Sequence, residues 1–327
     1  MLPIVFATFA ALAAAQSTPW PKFGNWTEAV NGHDYLLSGP KTLGKKTDFE
    51  LERCQYVWRL INERTNATDK DLPAPYPAGR CMDRLYERKS AIGDRGFLDI
   101  FAKDIEEAKQ FWYDANDNST LDDPATWKAV ECRALVHLPN VTAWAFSAWS
   151  ASPFADAANN RGNAEHYFKY SDHTGALGTS HILEGWGGVT TNFSIPNYSP
   201  RHRAMVRPLP EFAIKACGDK NLVDDKNTNF GVLNIAARDV AGCDKKNKVD
   251  IYASIWYGSG ISEEHLEAER QHVIIEIVNM SLKAQEDIES GKFTVPAPRF
   301  LRHRREVAFG VLVIDLTEQH FTSWKGV

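Results

Sequence analysis

The sequence predicts an α+β protein with N-terminal helices, an antiparallel and strongly bent sheet, and a long C-terminal helix. Three observations predict this class. Apolar residues recur at helical spacing before residue 113, alternate with a period of two between residues 127 and 257, and return to helical spacing after Ser262. Because helical and strand segments are segregated along the chain, a parallel sheet built from alternating strands and helices is not expected.

The predicted helices are defined by capping residues and apolar stripes. A capping box at Thr47 and an apolar stripe predict a helix over 47–62. A second apolar stripe predicts a helix over 97–113. The last helix is expected over 262–290, because Ser262 is a good N-cap residue and glycine follows the segment.

Seven segments show the alternation that is typical of strands, and glycine or Asn/Asp-rich turns separate several of them. They are 127–138, 141–150, 166–171, 181–195, 211–217, 230–240 and 249–257. The glycines of 185–188 fall inside the fourth segment, where they predict a bulge or a close backbone approach.

One domain is expected over 47–291, after an irregular N-terminal arm over 16–46. A proline-rich and basic C-terminal tail over 292–327 follows, and its Arg304-Arg305 pair is either a processing site or part of an exposed linker. The order of elements resembles the START-like helix-grip architecture, with the NTF2-like cone as the neighbouring alternative. Either resemblance concerns the fold and not the chemistry.

Two features predict a glycoprotein that is secreted or retained in the lumen of the secretory pathway. Residues 1–15 are apolar, too short for a membrane span, and end in a small-x-small pattern, as in a cleavable signal peptide. Seven N-glycosylation sequons follow, at Asn25, Asn66, Asn118, Asn140, Asn192, Asn197 and Asn279.

Five cysteines in an oxidising compartment predict two disulfides and one free thiol. We pair Cys54 with Cys81 and Cys217 with Cys243. Cys132 lies in a predicted strand and is expected to be a buried thiol.

The net charge and the lengths of the apolar segments argue against a nucleic-acid partner and against a membrane span. A formal net charge of −5 argues against nucleic-acid binding. No segment after residue 15 reaches the roughly 18 apolar residues of a membrane helix, so no membrane span is expected.

One stripe of the last predicted helix carries His265, Glu269, His272 and Glu276. Two imidazoles and two carboxylates on one helix face have the composition of a metal site. The same stripe continues to Asn279, however, where a glycan would need solvent. We therefore expect a solvated polar edge there, with no metal and no cofactor.

Three predicted strands pair an aliphatic face with an amphipathic face. The amphipathic faces carry aromatic, Arg, His and Asn side chains, a mixture typical of a ligand pocket. The candidate lining residues are Arg133, His137, Asn234, Arg238, Tyr252 and Trp256. A homodimer interface and a plain solvent-facing surface are the alternative interpretations of these faces.

Three stretches are similar to secreted fungal proteins from natural-product gene clusters. They are HILEGWGG at 181–188, IYASIWYG at 251–258 and NMSLKAQEDIESG at 279–291. Together with the signal peptide, they resemble the hetero-Diels–Alderases of tropolone-sesquiterpenoid pathways. The resemblance implies a cofactor-free cyclase that joins a quinone-methide-like diene to a terpene alkene.

In this cyclase interpretation, Tyr252 and Trp256 stack on the flat ring system. Arg238, Asn234 or His137 donates a hydrogen bond to the carbonyl as it gains charge. The aliphatic faces would be untouched by substitution of these residues, so folding is expected to survive their loss.

No complete catalytic motif supports the cyclase over other functions, since the G-x-S-x-G elbow and the H-E-x-x-H zinc motif are both absent from the sequence. The alternatives are a secreted protein that binds an apolar aromatic, terpenoid or lipid molecule, and a surface-interaction protein or effector.

Overall fold

The protein combines an antiparallel sheet with helices that lie between its strands and after the last of them, which confirms the predicted α+β class. The computed structural model describes residues 20–67, 78–172, 178–196, 198, 205, 209–224, 227–241 and 247–297. The predicted signal peptide and most of the predicted C-terminal tail, including Arg304-Arg305, lie outside the described residues.

The sheet has nine antiparallel strands within the described residues. They are β1 (Asn25–Val30), β2 (His33–Ser38), β3 (Trp127–Val136), β4 (His166–Ser171), β5 (Ser180–Glu184), β6 (Thr191–Ile195), β7 (Ile214–Leu222), β8 (Asn229–Ala241) and β9 (Asn247–Gly258). Their order across the sheet is β1-β2-β3-β9-β8-β7-β6-β5-β4, so the long strands β3, β8 and β9 are neighbours.

Six α-helices accompany the sheet in the described part of the chain. They are α1 (Lys46–Thr65), α2 (Ala78–Ile100), α3 (Ala102–Asn116), α4 (Ala143–Ser150), α5 (Pro153–Gly162) and α6 (Glu263–Glu289). The predicted N-cap of α6 is confirmed, because Ser262 Oγ accepts a hydrogen bond from the His265 backbone N–H at 3.1 Å. None of these helices has the length and apolar content needed to cross a membrane.

The segment predicted to be an irregular arm instead contains the hairpin of β1 and β2. Asn31 and Gly32 join the strands with φ of 50° and 81°. Two consecutive positive φ values are those of a type I′ turn, which Asn-Gly adopts readily. The prediction is wrong because this short turn signal outweighs the proline and glycine content around it, and β2 then pairs with β3.

The predicted strand over 141–150 is also wrong, because these residues form α4 and α5 follows. Thr142 Oγ caps α4 by accepting a hydrogen bond from the Ala145 N–H at 3.1 Å. Five of the eight side chains of α4 are buried, so the segment is apolar on every side. A short segment of this kind has no periodicity that separates a helix from a strand.

The predicted strand over 181–195 is divided into β5 and β6 by a turn at residues 185–188. The predicted close backbone approach is confirmed. A Cβ atom at Gly187, where φ is +61°, would lie 2.6 Å from the His265 ring, so only glycine lets α6 pass here.

Both faces of the sheet are covered. On the face that we call the inner face, Cys132 and Ala253 belong to the large hydrophobic core that includes Val273 and Ile277 of α6. On the opposite, outer face, Leu209 and Phe212 pack against Ala236 and Tyr252. A second, smaller core joins α1 and α2 to β4 and β5.

The predicted disulfide between Cys54 and Cys81 is present and joins α1 to α2. Cys132 is a buried free thiol, as predicted. Cys217 is also a free thiol, contrary to the prediction, and its Sγ donates to Asn234 Oδ1 at 3.1 Å. Its expected partner, Cys243, lies outside the described residues.

Candidate functional site

A cavity of about 190 Å³ lies between the inner face of the sheet and α6. Strands β4 to β9 all contribute to its lining, so the sheet curves around it. Its wall is mostly apolar, formed by Ile182, Phe193, Ile195, Leu233, Ile235, Ala237, Ile251, Ala253, Ile255, Val273, Ile277 and Met280. Half-buried lining residues such as Ser147, Tyr198 and Lys215 mark its mouth.

Charged side chains occupy the closed end of this cavity, and Glu184 lies at their centre. Glu184 Oε1 accepts hydrogen bonds from Trp186 Nε1 at 2.8 Å and from Lys220 Nζ at 3.2 Å, while Oε2 lies 3.0 Å from His166 Nε2. Burial by itself raises the pKa of Glu184, but Lys220 and His166 outweigh it and hold that pKa well below its usual range.

His166 and His272 face each other across the cluster, with their Nε2 atoms 3.1 Å apart. His272 Nδ1 lies 3.0 Å from Glu165 Oε2. Burial lowers the pKa of His166. Burial also lowers the pKa of His272, but the Glu165 hydrogen bond and the charges of Glu184 and Glu269 prevail and raise it to about 9.

A second chain of hydrogen bonds begins at Lys220. Its Nζ donates to Tyr257 OH at 2.9 Å, and that hydroxyl donates to Glu269 Oε1 at 2.7 Å. Burial raises the pKa of Glu269, whose Oε2 has no hydrogen-bond partner among the described residues. Lys220 Nζ also lies 4.6 Å from the Phe193 ring centroid, so aromatic faces surround this cation.

The strand register places His166 at the site, because it pairs directly with Glu184 across β4 and β5. Lys89 of α2 fixes the chain that leads into β4. Its Nζ donates to the carbonyl oxygens of Asn160 at 2.6 Å, Asn163 at 2.9 Å and His166 at 2.7 Å. Burial lowers the pKa of Lys89 to about 7.

The polar stripe of α6 faces this cavity and not the solvent. His265, Glu269 and His272 are buried, and Glu276 is half-buried. The expectation of a solvated edge is wrong because partners from other elements satisfy the stripe; Asn159 Nδ2, for example, donates to Glu276 Oε1 at 3.0 Å. His166, His272 and Glu276 offer ligand atoms that all lie within 4.8 Å of one another, close enough to hold a metal ion.

The predicted pocket residues lie on the outer face, and the prediction that they line a cavity under the long helix is wrong. In the β3–β9 register, Arg133 pairs with Tyr252, whereas the inward-facing Cys132 and Ala134 pair with Ala253 and Ile251. The alternation predicted two faces correctly, but α6 covers the aliphatic one. Apolar strand and helix surfaces bury each other, and the polar groups of the cavity come from other strands.

The six predicted residues have structural contacts on the outer face. Arg133 and Arg238 both bind Asp250, and Tyr252 OH donates to Glu131. His137 Nδ1 lies 2.7 Å from the Asn247 carbonyl oxygen, Asn234 is buried beside Cys217, and Trp256 packs against Trp127, Met205 and Val232. These contacts bring Arg133, Arg238 and Tyr252 together around Asp250 and Glu131.

The sequence contained little signal for the residues that do form the cluster. Glu184 follows the apolar pair Ile182 and Leu183 at the end of β5, and Lys220 lies in the mostly polar end of β7, whose burial only the structure shows. A charged residue at a buried strand position is a functional candidate because it must find a partner there. Its partners, however, come from distant parts of the chain.

Comparisons with known proteins give no functional assignment. No protein-family model and no curated protein matches the chain. An uncharacterized protein from Rhizobium leguminosarum is 13% identical with a TM-score of 0.32, over 49% of this chain and 97% of that chain. A protein of unknown function from Staphylococcus aureus is 11% identical with a TM-score of 0.29, over 51% of this chain and 98% of that chain. Structural similarity at these TM-scores does not support a shared function.

Proposed function

We propose that this protein is an enzyme that binds a small, mostly apolar molecule in the inner cavity and activates one polar group of that molecule at the closed end. The main observation that supports this proposal is a buried charged cluster next to the apolar wall. It is formed by Glu184, His166, His272 and Lys220. Burying charges costs several kcal/mol each before pairing. A passive carrier of apolar molecules needs no such cluster, so the cluster favours an enzyme over a binding protein.

The cavity volume limits the size of the substrate. An engineered apolar cavity of about 150 Å³ accepts benzene, and this cavity has about 190 Å³. It therefore suits one substituted ring or a compact terpenoid unit. The polar group of such a ligand would meet Lys220, which can donate a hydrogen bond to an oxygen that gains charge.

Hetero-Diels–Alderase activity is a specific form of this proposal. The ring-bearing diene would occupy the cavity with its carbonyl toward Lys220, and the terpene alkene would approach through the mouth beside Tyr198. Holding the partners together supplies much of the rate enhancement in such a reaction. The donor in this version is Lys220, and not Arg238, Asn234 or His137.

Filling the cavity tests the proposal. Ala216 lies half-buried in the lining, opposite Ile235 of β8. Ala216→Trp is expected to reduce formation of the metabolite that depends on this gene by at least about tenfold, because an indole takes up the space of a ring-sized substrate. The measurement compares metabolites from cells that carry the wild-type gene, the variant gene or no gene.

Ala241→Trp is the matched control, because Ala241 is exposed at the end of the adjacent strand β8. It should leave the metabolite profile unchanged. A wild-type profile from cells with Ala216→Trp, at equal amounts of folded protein, would contradict the proposal, as would identical profiles with and without the gene.

We also propose that the protein passes through the secretory pathway. Exposed sequons and the Cys54–Cys81 disulfide support this. The exposed sequon residues are Asn25, Asn66, Asn118 and Asn140; Asn192 is half-buried in β6, and Asn197 lies outside the described residues.

Asn279 differs from the exposed sequons, and its predicted glycan does not fit the fold. Its Nδ2 donates to Glu50 Oε1 at 2.6 Å and to the Gly162 carbonyl oxygen, and its Oδ1 accepts from Lys46 Nζ at 2.6 Å. A glycan on Nδ2 would break this network. Glycopeptide mapping of protein from the culture medium is expected to find glycans on exposed sequons and unmodified Asn279. Full occupancy at Asn279, or no glycan anywhere, would contradict this expectation.

A further inference from the structure

We propose that the closed end of the inner cavity binds one divalent transition-metal ion through His166, His272 and Glu276. The three ligand atoms lie within 4.8 Å of one another. The two imidazole Nε2 atoms are 3.1 Å apart. Two nitrogens bound to one tetrahedral ion at 2.0–2.1 Å would be separated by about 3.4 Å, so the side chains are already close to a ligating arrangement.

The surroundings of the ligands are the second, independent observation. His272 Nδ1 is held by Glu165 Oε2 at 3.0 Å, which directs Nε2 into the cavity. Metal-bound histidines typically have such a carboxylate on the other ring nitrogen. Asn159 Nδ2 holds Glu276 Oε1 at 3.0 Å and leaves the second carboxylate oxygen for the ion.

The charges of the cluster also favour a cation. Four carboxylates converge at this end of the cavity, those of Glu165, Glu184, Glu269 and Glu276. Among the described residues, the cations that face them are Lys220, 3.2 Å from Glu184, and Arg53, 3.9 Å from Glu165. Lys169, the other nearby cation, is paired with Asp156 at 3.3 Å. Metal ligation requires neutral imidazoles. In that state the four carboxylates outnumber the two cations by two charges, which a divalent ion would neutralise.

The donor set indicates which ions fit. Imidazole with carboxylate suits Zn²⁺, Fe²⁺ or Mn²⁺, whereas Ca²⁺ and Mg²⁺ prefer oxygen ligands throughout. Glu184 Oε2 lies 3.0 Å from His166 Nε2 and is within reach as a further ligand. This site replaces the expectation of no metal, because that expectation rested on a solvated stripe that the fold buries.

A metal titration of the full chain, without any substrate, tests the site separately from the proposed enzyme. Dialysed wild-type protein is expected to bind one equivalent of Zn²⁺ by elemental analysis and calorimetry. Co²⁺ in its place should give visible d–d absorption typical of nitrogen and oxygen ligands. Zn²⁺ in excess should raise the melting temperature, since an ion that binds only the folded chain stabilises it.

Zn²⁺ affinities of single-residue variants show which side chains bind the ion. His272→Gln and Glu276→Gln are expected to weaken Zn²⁺ binding by at least about 100-fold, and Glu165→Gln by about 10–100-fold through loss of the outer contact. His181→Gln is the matched control, because this half-buried histidine stacks on Tyr170 away from the cluster. Wild-type protein that binds no stoichiometric Zn²⁺ or Co²⁺ would overturn the proposal, as would binding that His272→Gln leaves unchanged.

Discussion

Replacing Asp250 by asparagine is expected to lower the free energy of unfolding by about 3–5 kcal/mol. Asp250 accepts hydrogen bonds from Arg133 Nε at 2.8 Å, from Arg133 Nη2 at 2.6 Å and from Arg238 Nε at 2.8 Å. The side chains of Arg133 and Asp250 are both only 2% exposed. Asparagine keeps the shape but removes the charge, so the buried guanidinium of Arg133 loses the carboxylate that it binds through Nε and Nη2.

Urea unfolding at neutral pH measures this loss, and the melting temperature should fall by roughly 10 °C. Asp83→Asn is the matched control. Asp83 also binds an arginine, Arg161 at 2.7 Å, but both side chains are more than half exposed. An exposed ion pair contributes about 1 kcal/mol or less. If Asp250→Asn costs no more than Asp83→Asn, the outer-face network is not the structural element that we describe.

This expectation reverses the sequence-based interpretation of the same residues. Arg133 was expected to line a ligand pocket, Arg238 to donate a hydrogen bond to the ligand, and both to be dispensable for folding. The structure places them under Trp20 and Phe212, with guanidinium–ring distances of 4.4 Å for Arg133–Trp20 and 4.8 Å for Arg238–Phe212. Their charges are already satisfied within the protein.

Lys220→Met is expected to destabilise the metal-free protein by about 3–5 kcal/mol at neutral pH and much less near pH 4. In the wild type, Lys220 helps to hold the pKa of Glu184 below its unfolded value of about 4.3. That carboxylate therefore stabilises the fold above the unfolded pKa, and the contribution is lost as the pH falls through the folded pKa.

In the variant, Glu184 loses the lysine that helps to hold its pKa down, so the folded pKa of this carboxyl rises. The charged carboxylate then contributes less stability at neutral pH, and this loss disappears once the group is protonated in both states. The difference between wild type and variant should therefore grow from pH 4 to pH 7. Urea unfolding at several pH values with a chelator present measures it.

Lys215→Met is the control for Lys220→Met, because Lys215 lies half-buried at the mouth of the same cavity. Its effect should stay within about 0.5 kcal/mol at every pH. If Lys220→Met lowers the free energy of unfolding by the same amount at every pH, lost packing causes the destabilisation and not an unpaired carboxylate.

The elements with strong local signals were predictable from the sequence. Helix α6 has its Ser262 cap and its apolar positions, and β8 and β9 alternate clearly over long segments. The hairpin at Asn31-Gly32 also had a local signal, which the composition of the arm obscured. Helix α4 had none, since a short segment apolar on every side fits a helix and a strand equally well.

The candidate site could be predicted only in part, because it is assembled by topology. The α6 stripe gave His272 and Glu276 the right spacing, but nothing local shows that the stripe faces inward. Glu165 and His166 reach His272 from more than 100 positions away along the chain. The alternation of β3 and β9 predicted two faces but not which of them α6 would cover.

The position of the cluster between two hydrophobic cores has a consequence for divergence. Residues next to the cluster, such as Tyr167 and Leu183, are anchored in the smaller core with α1 and α2, whereas wall residues such as Ile251 and Ala253 belong to the larger core. Substitutions in the wall can therefore alter which molecule fits while the charged groups keep their anchors. In the enzyme that we propose, descendants of one ancestral gene could in this way change their substrate range and retain the same charged cluster.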